Sequence, residues 1–271
     1  MLAAALIVFR ESLEAALVIG IVAAATRPIA RRGWWIAIGA AAGVAGAIGV
    51  AAVAQSISQL AGGNGQELFT AVVLALAVAM LAWHNVWMAS HGRQIAAQAR
   101  NLGQSAARGE IALTAIVTAI ALTVLREGSE TVLFLAGIAT SSAASRAALA
   151  AGSLLGLAAG GAAGVLIYAG LLRVPVSRLF VVTGWLILLL AAGMAGQFAR
   201  VLIQADMLPA LASPLWDTSS LMPDDSALGV LLHALLGYQA QPSATQVLFY
   251  FAALVLILVA MRRAQSHHRA A

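Results

Sequence analysis

Apolar residues run along this chain in seven stretches of helical length, at 2–26, 34–54, 68–90, 111–139, 147–172, 179–201 and 245–261, each closed by a polar or Arg-bearing break. About 20 residues at 1.5 Å each cross the roughly 30 Å hydrocarbon core of a bilayer. The pattern therefore predicts an all-α, polytopic membrane bundle of seven transmembrane helices. The one long connection, 202–243, carries Pro and Asp residues. Its short apolar piece at 228–236 predicts an interfacial or re-entrant helix inside the loop. No low-complexity linker divides the chain, so a single integral-membrane domain is expected over 1–271, ending in a final helix at 245–263.

Composition agrees with lipid as the solvent. Hydrophobic residues make up 62% of the 271 positions and charged ones 9%, against about a quarter charged in ordinary soluble domains. Mean hydropathy is +0.95. The chain enters its first apolar stretch at Leu2 with no basic segment before it and no clear small-residue cleavage site. That stretch reads as a retained helix and not as a signal peptide. The absence of Cys removes disulfides, thiolate metal sites and iron–sulfur clusters. All 15 basic residues are Arg, and they collect at span ends, which argues against a nucleic-acid face. Arg27, Arg31 and Arg32 follow the first span, Arg93, Arg100 and Arg108 the third, Arg173 and Arg178 the fifth, and Arg262, Arg263 and Arg269 the seventh. The opposite connections hold Arg146 and Arg200 together with Asp206, Asp217, Asp224 and Asp225. By the positive-inside rule the N-terminus lies outside and the C-terminus is cytoplasmic, in a multi-pass protein of the cytoplasmic (inner) membrane.

The remaining two Arg lie inside spans and head a repeat. Arg10-Glu11-Ser12-Leu13-Glu14 in the first span recurs as Arg126-Glu127-Gly128-Ser129-Glu130 in the fourth, 116 residues later. Three spans separate the copies, so the fourth crosses in the opposite sense to the first. This predicts a 3+3 inverted repeat, about 1–90 and 111–201, with the seventh helix appended. Such repeats bind substrate at the midplane between their halves. Gly39 and Gly43 in the second span, and Gly152, Gly156, Gly160 and Gly164 in the fifth, recur every four residues. Small residues on one face let helix backbones approach closely, a structural role.

On a helix, positions three and four apart share a face, so Glu14 reaches both Arg10 and Glu11, and Glu130 reaches both Arg126 and Glu127. An isolated charge at the bilayer centre costs about 2.5–3.5 kcal/mol on insertion scales, so six such residues need a functional reason. At this composition roughly 0.007 copies of the pattern are expected by chance, and two are present. Four carboxylates, Glu11, Glu14, Glu127 and Glu130, with Arg10 and Arg126 as counter-ions, leave two net negative charges for a multivalent cation. Without Cys, the donor set suits oxygen-loving ions such as Fe³⁺, Mn²⁺ or Ca²⁺. The Arg hold the glutamates ionised in low dielectric and replace the cation when it leaves. The plainer reading is an intrahelical ion pair stapling the bundle, for which the second carboxylate would be superfluous.

Other polar residues are weaker signals. His84, Asn85 and Met88 in the third span and Gln197 in the sixth are candidates for a permeation path, or for hydrogen bonding between helices. Asp217, Asp224 and Asp225 could collect metal outside, or be ordinary solvated loop acids. His267 and His268 read as a solvated cytoplasmic tail, and Glu67 and Glu110 as acids at helix starts. No Ser-His, Asp-Asp or His-Glu-x-x-His arrangement occurs in the spans, so no enzyme is expected.

Nearly the whole chain resembles the oxidase-coupled iron permeases, the bacterial EfeU-type and fungal high-affinity permeases of the iron/lead transporter superfamily. The resemblance rests on Phe9-Arg10-Glu11-Ser12-Leu13-Glu14-Ala15, on Leu125-Arg126-Glu127-Gly128-Ser129-Glu130, and on Leu215-Trp216-Asp217-Thr218-Ser219 through Leu235-Leu236-Gly237-Tyr238 and Pro242. It implies seven spans, an outside N-terminus, and the motif glutamates as iron ligands. It also implies iron as the transported substrate, delivered as Fe³⁺ by a separate extracytoplasmic oxidase, peroxidase or iron-binding protein. No tightly bound organic cofactor or nucleic-acid partner is expected, and a homo-oligomer is compatible. The chain departs from the family at Thr70-Ala71, where many members carry a Glu-Gly pair after the equivalent of Glu67-Leu68-Phe69. Competing readings are a transporter of lead or manganese and a non-transporting membrane metal sensor or scaffold.

Overall fold

The computed structural model describes residues 1–60, 66–141, 145–170, 176–224 and 226–270. Among them the chain is helical, with no strand: α1 (Leu2–Ala25), α2 (Arg32–Leu60), α3 (Gln66–Ala107), α4 (Thr114–Ser141), α5 (Arg146–Tyr168), α6 (Val176–Gln204), α7 (Ala227–Leu236) and α8 (Ala244–Ala270). Helix is the form that satisfies every backbone polar group within one segment, which lipid demands. Five stretches are long and apolar enough to cross a membrane: Arg32–Ser56, Glu67–Met88, Arg146–Tyr168, Val181–Gln204 and Ala244–Ala264. With 24 and 28 residues, α1 and α4 have the length as well, but each carries three ionisable side chains of the repeated motif. The chain is a multi-pass membrane protein in contact with the lipid bilayer.

Two boundaries differ from the apolar pattern. The third stretch, which hydropathy ends at position 90, continues as one helix to Ala107. Its 42 residues reach about 63 Å at 1.5 Å each, twice a bilayer core. The extension is held because Ala99 and Ala106 pack with Val22, Ile116 and Ile120 in a second apolar cluster. At Gly103 an added Cβ would lie 2.5 Å from the Cβ of Ala25, so the end of α1 sits directly on α3. The second difference is Glu110, expected at a helix start. It lies in the turn before α4, where Gly109 takes φ +74°, and it pairs with Arg108 Nε at 2.6 Å on the exposed surface. Glu67 is in the first turn of α3 as expected.

The glycines explain the closest packing. Helix α1 lies along α5 and α2 along α4. A Cβ on Gly152 would strike the carbonyl of Met1 and approach Ala4, and one on Gly156 would strike the carbonyl of Ala5 and approach Val8. A Cβ on Gly39 would meet the Val117 carbonyl at 2.8 Å and Ile120 at 3.0 Å, and one on Gly43 the Ala121 carbonyl at 2.7 Å and Val124 at 2.6 Å. Further along, Gly160 lies against Ser12, and Gly128 of α4 lies against Ala47 of α2.

The main core surrounds α6, whose Ile187, Leu188, Ala191 and Met194 pack with Leu74 and Leu81 of α3, Phe134 of α4, Ile7 of α1 and Ile257 of α8. The apolar piece at 228–236 forms α7, capped by Ser226, whose Oγ accepts from Gly229 N at 3.0 Å. It ends at Gly237, in the left-handed region at φ +70° and packed on Gly193 so closely that neither position has room for a Cβ. Helix α7 is thereby seated on α6 and on α1.

Candidate metal centre

Three helices bring ionisable side chains together in the interior: Arg10, Glu11 and Glu14 from α1, Arg126, Glu127 and Glu130 from α4, and His84 from α3. Each motif makes the intrahelical contacts its spacing predicts. Arg10 Nε lies 3.0 Å from Glu14 Oε1 and Nη1 lies 3.6 Å from Glu11 Oε1. Arg126 Nε lies 3.1 Å from Glu130 Oε1 and 3.4 Å from Glu127 Oε1. Across the helices, His84 Nδ1 contacts Glu130 Oε2 and His84 Nε2 lies 3.5 Å from Glu14 Oε1. One donor atom from each of Glu11, His84, Glu127 and Glu130 falls within 4.8 Å of the other three, a spread that one ion can bridge. Glu14 adjoins this set through His84. The imidazole is oriented by its two carboxylates and by the edge of Phe134, at 6.5 Å between centroids and 89° between planes.

Burial makes these contacts consequential. Both oxygens of Glu11, Oε1 of Glu14 and Oε2 of Glu127 are buried acceptors that no donor among the described residues reaches with hydrogen-bond geometry, and Arg10 Nε and Nη1 and His84 Nε2 likewise make no hydrogen bond among them. Buried polar atoms are normally satisfied, and the exceptions call for a reason. A cluster of lone pairs with few donors is what a cation needs. The two halves differ in access: the Arg10 side chain is 2% exposed, whereas Arg126 is 38% exposed and its guanidinium carbon lies 4.3 Å from the centre of the Trp87 ring.

The other sequence candidates stand apart from this cluster. Asn85 is buried and its Nδ2 donates to the Gly184 carbonyl at 3.4 Å, tying α3 to α6. Met88 is half-buried one turn beyond His84, and Gln197 is buried on α6. Asp224 Oδ1 accepts from Ala240 N at 2.8 Å. Asp217 accepts from the hydroxyl of Ser219 at 2.6 Å, from its backbone N–H at 2.9 Å and from Gln241 Nε2 at 2.9 Å. These bonds, the Ser219 hydroxyl foremost, hold the Asp217 carboxyl below its usual range, and both acids build the loop. Asp225 and the side chains of His267 and His268 lie outside the described residues. Trp87 was not singled out by sequence reasoning; its place three residues after His84, on the same helix face, is the signal that points to it.

Membrane-spanning helices closed around a set of carboxylates, an imidazole and two guanidiniums fit an integral-membrane ion permease. Residues 1–264 match the model of the iron permease FTR1 family, and the chain belongs to that family. It is 32% identical over 263 residues to the ferrous iron permease EfeU of Escherichia coli O6:K15:H31, covering 94% of this chain and 93% of that protein. The Shigella sonnei EfeU matches to the same extent, and that of Yersinia pestis is 29% identical over 262 residues, 94% of this chain and 90% of the relative. No solved structure matches the chain.

Proposed function

We propose that this iron permease moves iron inward across the cytoplasmic membrane through one midplane site, made by Glu11, Glu14, Glu127 and Glu130 with His84 joining the two halves. The observation that carries the reading is the convergence of buried carboxylates, several of whose oxygens accept no hydrogen bond among the described residues, with one ligand atom each from Glu11, His84, Glu127 and Glu130 within 4.8 Å of one another. Arg10 and Arg126 pair with these carboxylates between ions, which lowers the uncompensated charge left in low dielectric. The transport domain is then a 3+3 inverted repeat with a seventh span, α8, appended and α7 as an interfacial or re-entrant piece. Glycine packing supports this. Gly39 and Gly43 correspond to Gly152 and Gly156 at an offset of 113, while their contacts at 117, 120, 121 and 124 correspond to 1, 4, 5 and 8 at the motif's own offset of 116. Where α5 has Gly160 facing Ser12, α2 has Ala47 facing Gly128, so the small residue has changed sides of an equivalent contact. Exposed Arg27, Arg31, Arg100 and Arg108 and half-buried Arg32 lie near where α1 ends on α3, which fits a cytoplasmic assignment for that end.

His84 bears on the oxidation state. Imidazole nitrogen is a softer donor than carboxylate oxygen, and a mixed set suits Fe²⁺ over Ca²⁺ or Mg²⁺. The relatives' name, ferrous iron permease, agrees with this. A second reading keeps Fe³⁺ handed over by an extracytoplasmic oxidase, and the four hard carboxylates favour it. Uptake of radiolabelled iron into cells, with ascorbate or as a ferric chelate, separates the two. Under either reading Glu14→Gln and Glu130→Gln are expected to abolish uptake while the protein still reaches the membrane; normal uptake in both variants would remove the motifs from transport.

A further inference from the structure

The two arginines cannot have the same role when an ion arrives. An arriving ion competes with Arg10 and Arg126 for the same four carboxylates, and the guanidinium with room to move is the one that gives way. Arg10 is sealed, 2% exposed, and has nowhere to go without carrying its charge into packed helix. Arg126 differs in three ways. Its closest contact to both of its carboxylates is through Nε, at 3.4 Å to Glu127 and 3.1 Å to Glu130. It is 38% exposed. Its guanidinium already lies over the face of Trp87, 4.3 Å from the ring centre.

We propose that Trp87 is the alternative seat of the Arg126 guanidinium, a positioning residue that holds this charge when a metal ion takes Glu127 and Glu130. The inference rests on the reading that those glutamates bind the transported ion. A guanidinium neutralised by two carboxylates gains little from an aromatic quadrupole, whereas one that has lost them gains more, and most where water is scarce. The indole therefore stabilises the displaced state more than the ion-paired one. Its net effect is to favour metal binding, and it acts only through Arg126.

The test is anaerobic titration calorimetry of Fe²⁺, kept reduced with ascorbate, into purified full-length protein in detergent, comparing wild type, Trp87→Leu, Trp87→Phe, Arg126→Gln and Trp87→Leu with Arg126→Gln. Trp87→Leu is expected to weaken binding about three- to tenfold, the range of a partly desolvated cation–π contact, and Trp87→Phe to weaken it less. Arg126→Gln, relieved of the competing cation, is expected to bind at least as tightly as wild type, and adding Trp87→Leu to it is expected to change nothing. Equal affinity for wild type and Trp87→Leu, tighter binding by Trp87→Leu, a loss that persists in the Arg126→Gln background, or failure of Arg126→Gln to bind would each overturn the role of Trp87 while leaving the metal site standing. A wild-type protein that binds no Fe²⁺ would instead overturn the site itself.

Discussion

The first and fourth helices carry the same three charges at the same spacing, yet their surroundings differ sharply. Arg10 and Glu11 are each 2% exposed; α3, α5 and α6 reach both α1 and α4, and α7 reaches α1 alone of the two. Arg126, at the equivalent place on α4, is 38% exposed and rests on an indole. A repeat gives two halves the same chemistry, and what is added outside the repeat decides which half is fixed. Here α7 packs against α1 and α6 while α8 packs against α3 and α6, so that α7 covers α1 and has no counterpart on α4. One motif becomes a permanent counter-charge and the other a movable one.

The sharpest way to break this contrast is to neutralise each arginine in turn. Arg10→Gln leaves Glu11 and Glu14 buried without their guanidinium, and removing one partner of a buried pair costs about 3–5 kcal/mol. Arg126→Gln removes a partly solvated charge, for which about 1 kcal/mol is the appropriate scale. Thermal unfolding in detergent is therefore expected to show a much lower midpoint for Arg10→Gln and a small change for Arg126→Gln. Equal losses would mean that the two halves are energetically alike.

Much of this arrangement was legible from the letters alone. Charged residues inside apolar runs are so unfavourable in lipid that two Arg-Glu-x-x-Glu motifs marked the interior unaided, and glycines every fourth residue marked the faces along which α5 and α2 approach α1 and α4. Hydropathy erred where tertiary packing took over: α3 runs on past position 90 because small residues let it dock on the end of α1, which no local pattern announces. His84 was legible only as a candidate for the path or for hydrogen bonding between helices, and Trp87 not at all, for a different reason. A lone His or Trp in a span is compatible with many environments, and only the meeting of α1, α3 and α4 gives one to Glu130 and the other to Arg126. The asymmetry between the motifs was likewise hidden, since it depends on how the other helices, α7 among them, pack around each.

The glycine contacts sharpen the other side of the comparison, in which the halves are equivalent. Gly156→Ala drives a methyl into the Ala5 carbonyl, and Gly43→Ala places one 2.7 Å from the Ala121 carbonyl; neither backbone can yield easily. Each is expected to cost about 1–3 kcal/mol, the range for overpacking a close interface. Gly161→Ala, with nothing within 4 Å of its added Cβ, is the control and should be neutral or slightly stabilising, because Ala is the better helix former. Loss at Gly156 without loss at Gly43, by the same unfolding measurement, would separate the halves where the contacts pair them.

The smallest expected effect falls on the residue that joins the halves. His84 touches Glu14 on one side and Glu130 on the other, so its removal should weaken neither half selectively. Glutamine in its place keeps comparable size and a polar end able to donate to one carboxylate, but removes the aromatic nitrogen that separates this donor set from an all-oxygen one. His84→Gln is therefore expected to retain metal binding while losing discrimination: the concentration of Mn²⁺ needed to halve Fe²⁺ uptake should fall roughly fivefold, equivalent to about 1 kcal/mol. Because the preference resides in a single nitrogen bridging both motifs, the shift should be the same with Trp87 intact or replaced by Leu. A shift that depended on Trp87 would tie selectivity to the movable half alone, and an unchanged metal preference would leave His84 as a structural link between α1 and α4.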